Sequence, residues 1–268
     1  MGSSDGASFY SSYMKVGNPI VQQVRHEAFG EDIGQFGWTS ANEMRGWFAR
    51  LGLGETSRVL DVACGAGGPA LFMARTTGCD LTGIDITPNG VASATELAAN
   101  LGLSDRARFH CVDAKGAWPF DDGAFDALTC VDSINHFYDR VTMLREARRV
   151  LRPGGQLLFT DPIVVTGMLR REEMITRSGA MGEFVFCVPG TDERALAEAG
   201  FVDVDATDVT ANIAMISSSW AAARTRHEAA LVEVEGAEAF ATFQRFLETV
   251  ATLSTERRLS RWLYVARR

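Results

Sequence analysis

From about residue 57 onward, the apolar positions follow two patterns in turn: short continuous runs and helical spacing. Short apolar runs predict strands at 58–63, 81–86, 107–112, 125–131 and 156–160. Between them, apolar residues at helical spacing predict helices at 68–77, 88–101 and 139–151. Strands that alternate with helices of about 10–15 residues are typical of a parallel sheet with helices on both faces. The pattern therefore predicts a doubly wound α/β fold.

The flanking segments are mainly helical. The chain predicts a helix at 19–29, a glycine-rich loop at 30–38, and a helix behind the capping box of Ser40 and Glu43. Later elements are predicted as a helix at 191–199, a strand at 201–209, helices over 211–253 broken near Gly236, and a last strand at 261–266. We interpret 1–54 as an N-terminal arm and helical cap. Residues 55–268 then form the main domain, with covering insertions at 162–190 and 210–258.

Composition excludes several classes of protein. A net charge of −8 over 268 residues argues against a nucleic-acid partner, which usually requires a clustered basic surface. The five cysteines contain no C-x-x-C pair, so we expect free thiols and neither a disulfide framework nor a metal site. No apolar run is long enough to span a membrane, and the first residues do not form a signal peptide. We therefore expect a cytoplasmic location.

A glycine turn follows the first predicted strand. The strand carries an acid, Asp61, and breaks into Gly65, Gly67 and Gly68 before a helix begins. A strand, a glycine turn and a helix N-terminus together form a platform for a polar ligand group. The turn also fits a dinucleotide fingerprint, since Asp85 lies where the ribose acid of that fingerprint would be. Taken alone, the turn leaves two cofactors open.

Three features favour S-adenosylmethionine over a nicotinamide dinucleotide. Asp61 would repel a pyrophosphate but attract the ammonium and sulfonium charges of S-adenosylmethionine. The turn 152–155, Arg-Pro-Gly-Gly, lies between a helix and the strand that ends at Asp161. Asp113 ends the third strand, where it could accept a hydrogen bond from an adenine amino group.

These motifs resemble those of the class I, Rossmann-like S-adenosylmethionine-dependent methyltransferases. The matching stretches are Val-Leu-Asp-Val-Ala-Cys-Gly-Ala-Gly-Gly at 59–68, Thr-Gly-Ile-Asp-Ile-Thr at 82–87, Asp-Ala at 113–114, Trp-Pro-Phe-Asp-Asp-Gly-Ala-Phe-Asp at 118–126, and Leu-Arg-Pro-Gly-Gly at 151–155. Within this class, the chain resembles the branch of small-molecule methyltransferases that includes the tocopherol, sterol and glycine/sarcosine enzymes. The resemblance implies seven strands, with the last strand antiparallel between the fifth and sixth.

The resemblance also implies how the cofactor is held. Gly65 and Gly67 would form the floor beneath its methionine part, and Asp61 would orient its amino group. Asp85 would accept hydrogen bonds from both ribose hydroxyls. Ala63 stands where the class commonly has glycine, and we expect its methyl group to face the strand packing.

The remaining implied contacts lie around the adenine and the ammonium. Ile86 would pack on the adenine ring, and Asp113 with Ala114 would meet its edge. Cys130 would offer its backbone carbonyl to the ammonium. We add Gln35 as a cofactor contact, because its glycine-flanked loop can fold back over the site.

The segment after the fourth strand carries the candidate catalytic residues. His136 is the best candidate for a general base, because an imidazole titrates near ~6.5. Asp132 could orient that imidazole, orient the substrate or stabilise a cation. The alternative is that both residues only cap the helix that follows.

We expect the acceptor to be a small, partly apolar metabolite, such as a natural-product intermediate. Trp38, Met168, Phe184 and Phe186 are candidates to line its pocket. Nitrogen, oxygen and carbon acceptors stay open, since all three use the same platform. The alternatives are a non-catalytic cofactor-binding partner and an NAD-dependent dehydrogenase. The helical cap could also serve as a homodimer interface.

Overall fold

The computed structural model describes residues 17–179 and 184–268, which form a seven-stranded sheet. Strands β1 to β7 are Arg58–Val62, Asp80–Asp85, Ala107–Cys111, Phe125–Cys130, Leu151–Val165, Val202–Asp208 and Leu259–Arg267. Their order across the sheet is β3-β2-β1-β4-β5-β7-β6. β7 is antiparallel to β5 and β6, and the other neighbouring strands are parallel. The predicted fold class is confirmed, including the position of the antiparallel strand.

Ten α-helices accompany the sheet in the described ranges. Helices α1 to α10 are Pro19–Phe29, Ala41–Leu51, Gly68–Thr77, Pro88–Asn100, Arg140–Val150, Arg171–Gly179, Thr191–Glu198, Thr210–Arg226, Glu228–Glu235 and Ala237–Thr255. A single 3₁₀ turn, Ile134–His136, follows β4. The predicted capping box opens α2: the Ser40 hydroxyl accepts the Glu43 N–H, and the Glu43 carboxylate accepts the Ser40 N–H.

Apolar side chains cover both faces of the sheet. On one face α5 and α7 contribute side chains such as Leu144 and Leu196. On the other face α2, α3 and α4 contribute Phe48, Leu71 and Ala98. Because both faces are covered, the central strands are continuous apolar runs rather than alternating ones, which is why they could be recognised in the sequence.

A separate apolar cluster is built by α1, α8, α9 and α10, which we call the helical roof. Its core includes Val24, Trp38, Trp220 and Phe246. The segment 1–54 therefore contributes to two layers, since α1 joins the helical roof whereas α2 packs on the sheet. The predicted N-terminal arm, residues 1–18, lies outside the described residues except for positions 17 and 18.

The structure also adds detail to two predicted segments. The predicted cover at 162–190 begins with the end of β5 and contains α6, and the predicted helical stretch breaks at His227 as well as at Gly236. None of the helices in the two described ranges combines the length and apolar character that crossing a bilayer requires.

Candidate active site

The glycine turn between β1 and α3 has a left-handed backbone. Ala63, Gly65 and Gly67 have φ angles of +58°, +54° and +80°. Glycine adopts this region without penalty, whereas an alanine costs about 1–2 kcal/mol. A Cβ at Gly67 would also lie 2.6 Å from the Cβ of Ala94. The two glycines are therefore required by the turn, and Ala63 carries backbone strain that an expectation based on strand packing alone did not include.

The N-terminus of α3 presents bare backbone at this turn. Gly67 is its N-cap and supplies no side-chain hydrogen bond, so the first N–H groups of α3 are available to a ligand. The glycine-rich loop before α2 lies directly against this end, because a Cβ at Gly68 would sit 2.6 Å from the carbonyl oxygen of Gly34. The loop thus folds back over the turn.

Asp61 is buried at the carboxyl end of β1. Its Oδ1 accepts a 2.6 Å hydrogen bond from the hydroxyl of Thr129 on β4. Burial raises the pKa of Asp61 to about 7, the Thr129 bond opposes that rise, and the charge of Asp85 adds to it. A cationic group beside Asp61 would reverse the penalty, so this carboxyl is suited to an ammonium.

Asp85 ends β2 and ties that strand to the glycine turn. One oxygen accepts the Gly65 N–H at 2.8 Å, and the other accepts the N–H of Thr87 at 2.9 Å and its hydroxyl. A carboxylate has about four acceptor positions and three are occupied here, so Asp85 has about one left for a ligand hydroxyl. The next residue, Ile86, is 51% exposed and offers an apolar surface beside this acid.

The other predicted cofactor residues fall at the same edge of the sheet. Asp113 is exposed two residues beyond β3, and its Oδ1 accepts the Lys115 N–H at 3.0 Å. Ala114, beside it, is partly buried against the sheet core. Cys130 is buried at the end of β4, and burial raises the pKa of its thiol well above the usual value. Only its backbone is therefore suited to a polar contact.

Gln35 has a different environment from the one predicted. Its side chain is buried within its own loop, where Oε1 accepts the Ile33 N–H at 2.8 Å and Nε2 donates to the Glu31 carbonyl at 3.1 Å. The amide braces the loop that covers the glycine turn. A contribution to cofactor binding would therefore come through the loop it supports.

Asp132 is the centre of a buried charge network. Its Oδ1 accepts bonds from Arg261 Nε at 2.7 Å and from the Thr160 hydroxyl at 2.8 Å. Its Oδ2 accepts the Trp38 N–H at 2.7 Å and the Thr39 hydroxyl at 3.1 Å. These bonds direct the carboxylate towards β7 and the loop before α2. This geometry corrects the expectation that Asp132 orients the His136 imidazole.

Arg261 and Glu43 complete this network, and sequence reasoning missed both roles. Arg261 is fully buried on β7, and its Nη1 lies 3.0 Å from the Glu43 carboxylate. The capping box that contains Glu43 could be recognised in the sequence. The bond between the Glu43 carboxylate and Arg261 could not, because the two residues are 218 positions apart.

His136 lies in the 3₁₀ turn and is half-buried. Its ring centroid is 4.9 Å from that of Phe184, which follows α6. Phe184 and Phe186 pack around a small cluster that includes Leu253 and Leu259. Among the predicted pocket residues, Phe184 therefore lies beside the candidate base, and Phe186 packs on the same small cluster as Phe184.

Two further predictions about the pocket change. The Met168 side chain is 84% exposed, so the prediction that it lines an apolar pocket is wrong. Trp38 is buried in the helical roof, where its ring stacks on Phe246 at 5.9 Å and meets Trp220 edge-on. Trp38, a predicted pocket residue, thus belongs to the apolar core of the helical roof.

Asp161, Cys187 and Asp192 form a buried acidic cluster with potential metal ligands within 4.8 Å of one another. The guanidinium of Arg140 lies among them, 2.6 Å from Asp161 and hydrogen-bonded to Asp192. Burial and the charge of Asp161 raise the pKa of Asp192 to about 7, against the effect of Arg140. An arginine therefore supplies the positive charge at this cluster.

The comparisons with known proteins define the class of this chain. Residues 60–159 match a family model described as a methyltransferase domain. The 27-O-demethylrifamycin SV methyltransferase of Amycolatopsis mediterranei is 35% identical over 195 residues, which are 70% of this chain and 70% of that protein. The chain belongs to the class I S-adenosylmethionine-dependent methyltransferases, and S-adenosylmethionine is its cofactor.

Solved structures agree with this fold. Phosphoethanolamine N-methyltransferase 2 of Haemonchus contortus, in complex with S-adenosyl-L-methionine, has a TM-score of 0.81 at 19% identity and covers 97% of this chain and 60% of its own. The [4+2]-cyclase SpnF has a TM-score of 0.73 at 27% identity and covers 98% of this chain and 96% of its own.

Proposed function

We propose that this methyltransferase acts on a small, partly apolar biosynthetic intermediate. The observation that carries the proposal is the 35% identity, over 70% of both chains, to an enzyme named for 27-O-demethylrifamycin SV. The aromatic side chains of the helical roof support an apolar acceptor, and the net charge of −8 disfavours a nucleic acid.

The residues at the carboxyl edge of the sheet fit S-adenosylmethionine. The glycine cradle cannot hold an additional Cβ at Gly67, and a buried carboxyl at Asp61 favours a cation. Asp85 has an acceptor position left for a ribose hydroxyl, and Ile86 offers an apolar surface to the adenine. When bound, the cofactor supplies a methyl group on a sulfonium, which is a good leaving group for in-line displacement.

The protein's main task in this reaction is positioning. Holding two reactants at near-attack distance can lower a barrier by ~7–11 kcal/mol. His136 would accept the proton of a hydroxyl acceptor, and its ring packs against Phe184. Asp132 supports the site indirectly, since it fastens the loop of Trp38 to β7.

A second candidate function is cyclisation without methyl transfer. The likeness to the cyclase SpnF extends over nearly the whole of both chains at 27% identity. In that case the cofactor site would have a structural role and the acceptor cavity would catalyse bond formation within one substrate.

Methyl transfer from labelled cofactor distinguishes the two candidates. The purified chain would be incubated with methyl-labelled S-adenosylmethionine and 27-O-demethylrifamycin SV, and with a panel of hydroxylated and amino-bearing natural-product intermediates. A product that carries the label supports the proposal, and its mass spectrum locates the acceptor atom. Conversion of a substrate to an unlabelled isomer, with no labelled product, would favour the cyclase.

A further inference from the structure

Arg177, in α6, is buried and has no hydrogen-bond partner in the part of the chain that the structure describes. Its side chain is 1% exposed, and its Nε and Nη1 atoms make no hydrogen bond. The guanidinium carbon lies 4.8 Å from the ring centroid of Phe184, 5.1 Å from that of Phe246 and 5.9 Å from that of Trp38. A charged group is thus enclosed by three aromatic rings.

The nearest negative charges are already paired with other arginines. Asp132 is bonded to Arg261, and Asp161 to Arg140. Throughout residues 17–179 and 184–268, no carboxylate forms an ion pair with Arg177. Burial lowers its pKa to about 10, against the effect of Asp161 and Asp132, so the guanidinium stays charged at neutral pH.

Arg224 provides an internal comparison. It is also buried in the helical roof, with its guanidinium 4.8 Å from the rings of Phe240 and Phe243. However, both of its terminal nitrogens are bonded to Glu235, at 2.9 Å and 2.7 Å. The fold therefore neutralises Arg224 but leaves Arg177 without a counter-ion among the residues that the structure describes.

A second unpartnered group lies beside the same segment. The Asn135 side chain is fully buried, and both of its polar atoms lack a hydrogen-bond partner. Its backbone carbonyl accepts the N–H of Val185 at 2.8 Å. The adjacent Phe184 ring contacts both Arg177 and the imidazole of His136. Two unsatisfied polar groups and the candidate base thus surround residues 184–185.

We propose that Arg177 binds an anionic oxygen of the acceptor, so that the preferred acceptors are apolar molecules with one negatively charged oxygen group, such as a carboxylate. Buried donors without partners are rare in folded proteins, and a ligand oxygen would satisfy them. The aromatic rings favour an apolar body for the rest of the molecule. A single guanidinium balances a monoanion but not a dianion in a dry site, which favours a carboxylate over a phosphate.

This inference rests on the proposed function and is tested with matched fragments. Calorimetry would measure the binding of naphthoate and of its neutral counterpart, naphthamide, to the protein loaded with S-adenosylhomocysteine. We expect naphthoate to bind at least about tenfold more tightly, as a charge-assisted bond predicts. Arg177→Met should remove that preference, and Arg177→Lys should retain part of it.

Arg224→Met is the matched control. It removes a buried, aromatic-enclosed guanidinium and should lower the melting temperature, yet leave the preference for naphthoate unchanged. A role of Arg177 as a structural clamp predicts the opposite: lower stability in Arg177→Met with the preference intact. That result would overturn the inference, as would equal binding of the two fragments to the wild type or no binding of naphthoate. Failure to bind S-adenosylhomocysteine would instead reject the proposed function.

Discussion

Asp85 combines a structural role with a predicted cofactor contact. Its carboxylate already accepts the N–H of Gly65 and two bonds from Thr87, and about one acceptor position is left for a ribose hydroxyl. We expect Asp85→Ala to weaken binding of S-adenosylhomocysteine about tenfold or more, because charge-assisted hydrogen bonds are worth ~1.5–3 kcal/mol each. Calorimetry measures this directly. Asp80→Ala, at the exposed start of the same strand, is the control, and equal affinities of the two variants would reject the ribose assignment.

Asp61 predicts how cofactor affinity depends on pH. Its pKa of about 7 means that much of it is protonated below that pH when no cation is bound. The cofactor's ammonium favours the ionised form, so binding near pH 7 should release a proton. We expect affinity to fall by up to about tenfold for each pH unit below 7. Calorimetry in buffers of different ionisation enthalpy counts the released protons.

The variant Asp61→Asn should bind more weakly and show a flat pH profile. The same substitution should weaken cofactor binding but increase the stability of the cofactor-free protein. A folded pKa raised above the unfolded value means that stability decreases as pH rises from about 4 to about 7. Asp61→Asn removes that decrease, so the cofactor-free variant should melt higher than the wild type at pH 8. A wild-type affinity independent of pH would contradict this assignment.

His136 is separable from the cofactor site. If it acts as a general base, His136→Ala should lower turnover about 10²–10⁴-fold while S-adenosylhomocysteine affinity stays the same. His110, which lies within β3, provides a control substitution away from the 3₁₀ turn. Turnover of His136→Ala that equals the wild type at every pH would limit the residue to packing against Phe184.

The individual side chains show which roles can be predicted from sequence. Asp61, Asp85 and the glycines were readable because they follow strands at a fixed spacing along the chain. Asp132 was assigned to catalysis from its position after β4, yet its partners come from the segment 38–39 and from Arg261. Local spacing carries no information about such long-range contacts.

The network of Arg261, Asp132 and Glu43 joins β7, the segment between β4 and the 3₁₀ turn, and α2. Removing one partner of a buried network leaves an uncompensated charge and costs about 3–5 kcal/mol. We therefore expect Arg261→Met to lower the melting temperature by roughly 2–4 °C for each kcal/mol lost. Arg267→Met, on the same strand, is the control: its pair with Asp203 is exposed at 3.8 Å and should contribute about 1 kcal/mol or less. Equal melting temperatures would contradict the role of the network.

Strand β5 illustrates where local signals mislead. The turn 153–155 predicted that the strand begins at Gln156, but β5 begins at Leu151. Phe125 pairs with Leu151 and Ala127 with Gln156, so the extra residues are accommodated as an irregularity between these pairs. At its other end β5 continues to Val165, because the antiparallel partner β7 extends to Leu259. Strand pairing, rather than local propensity, determines both ends.

Across the whole chain, the sheet and cofactor site were more predictable than the acceptor site. The cofactor acids collect at one edge because β1 to β3 are parallel neighbours. The proposed acceptor site combines Trp38, His136, Arg177, Phe184 and Phe246, which come from four segments that are distant along the chain. Arg177 was not predicted, because its importance lies in the absence of a counter-ion in the described structure, which no sequence pattern encodes.

The most direct test of the central claim is the binding of S-adenosylhomocysteine to the wild-type chain by calorimetry, with NAD⁺ as the comparison ligand. A methyltransferase with this carboxyl edge should bind one S-adenosylhomocysteine per chain and show no heat of binding with NAD⁺, since the buried Asp61 disfavours a pyrophosphate. Binding of NAD⁺ without S-adenosylhomocysteine, or of neither ligand, would contradict the account.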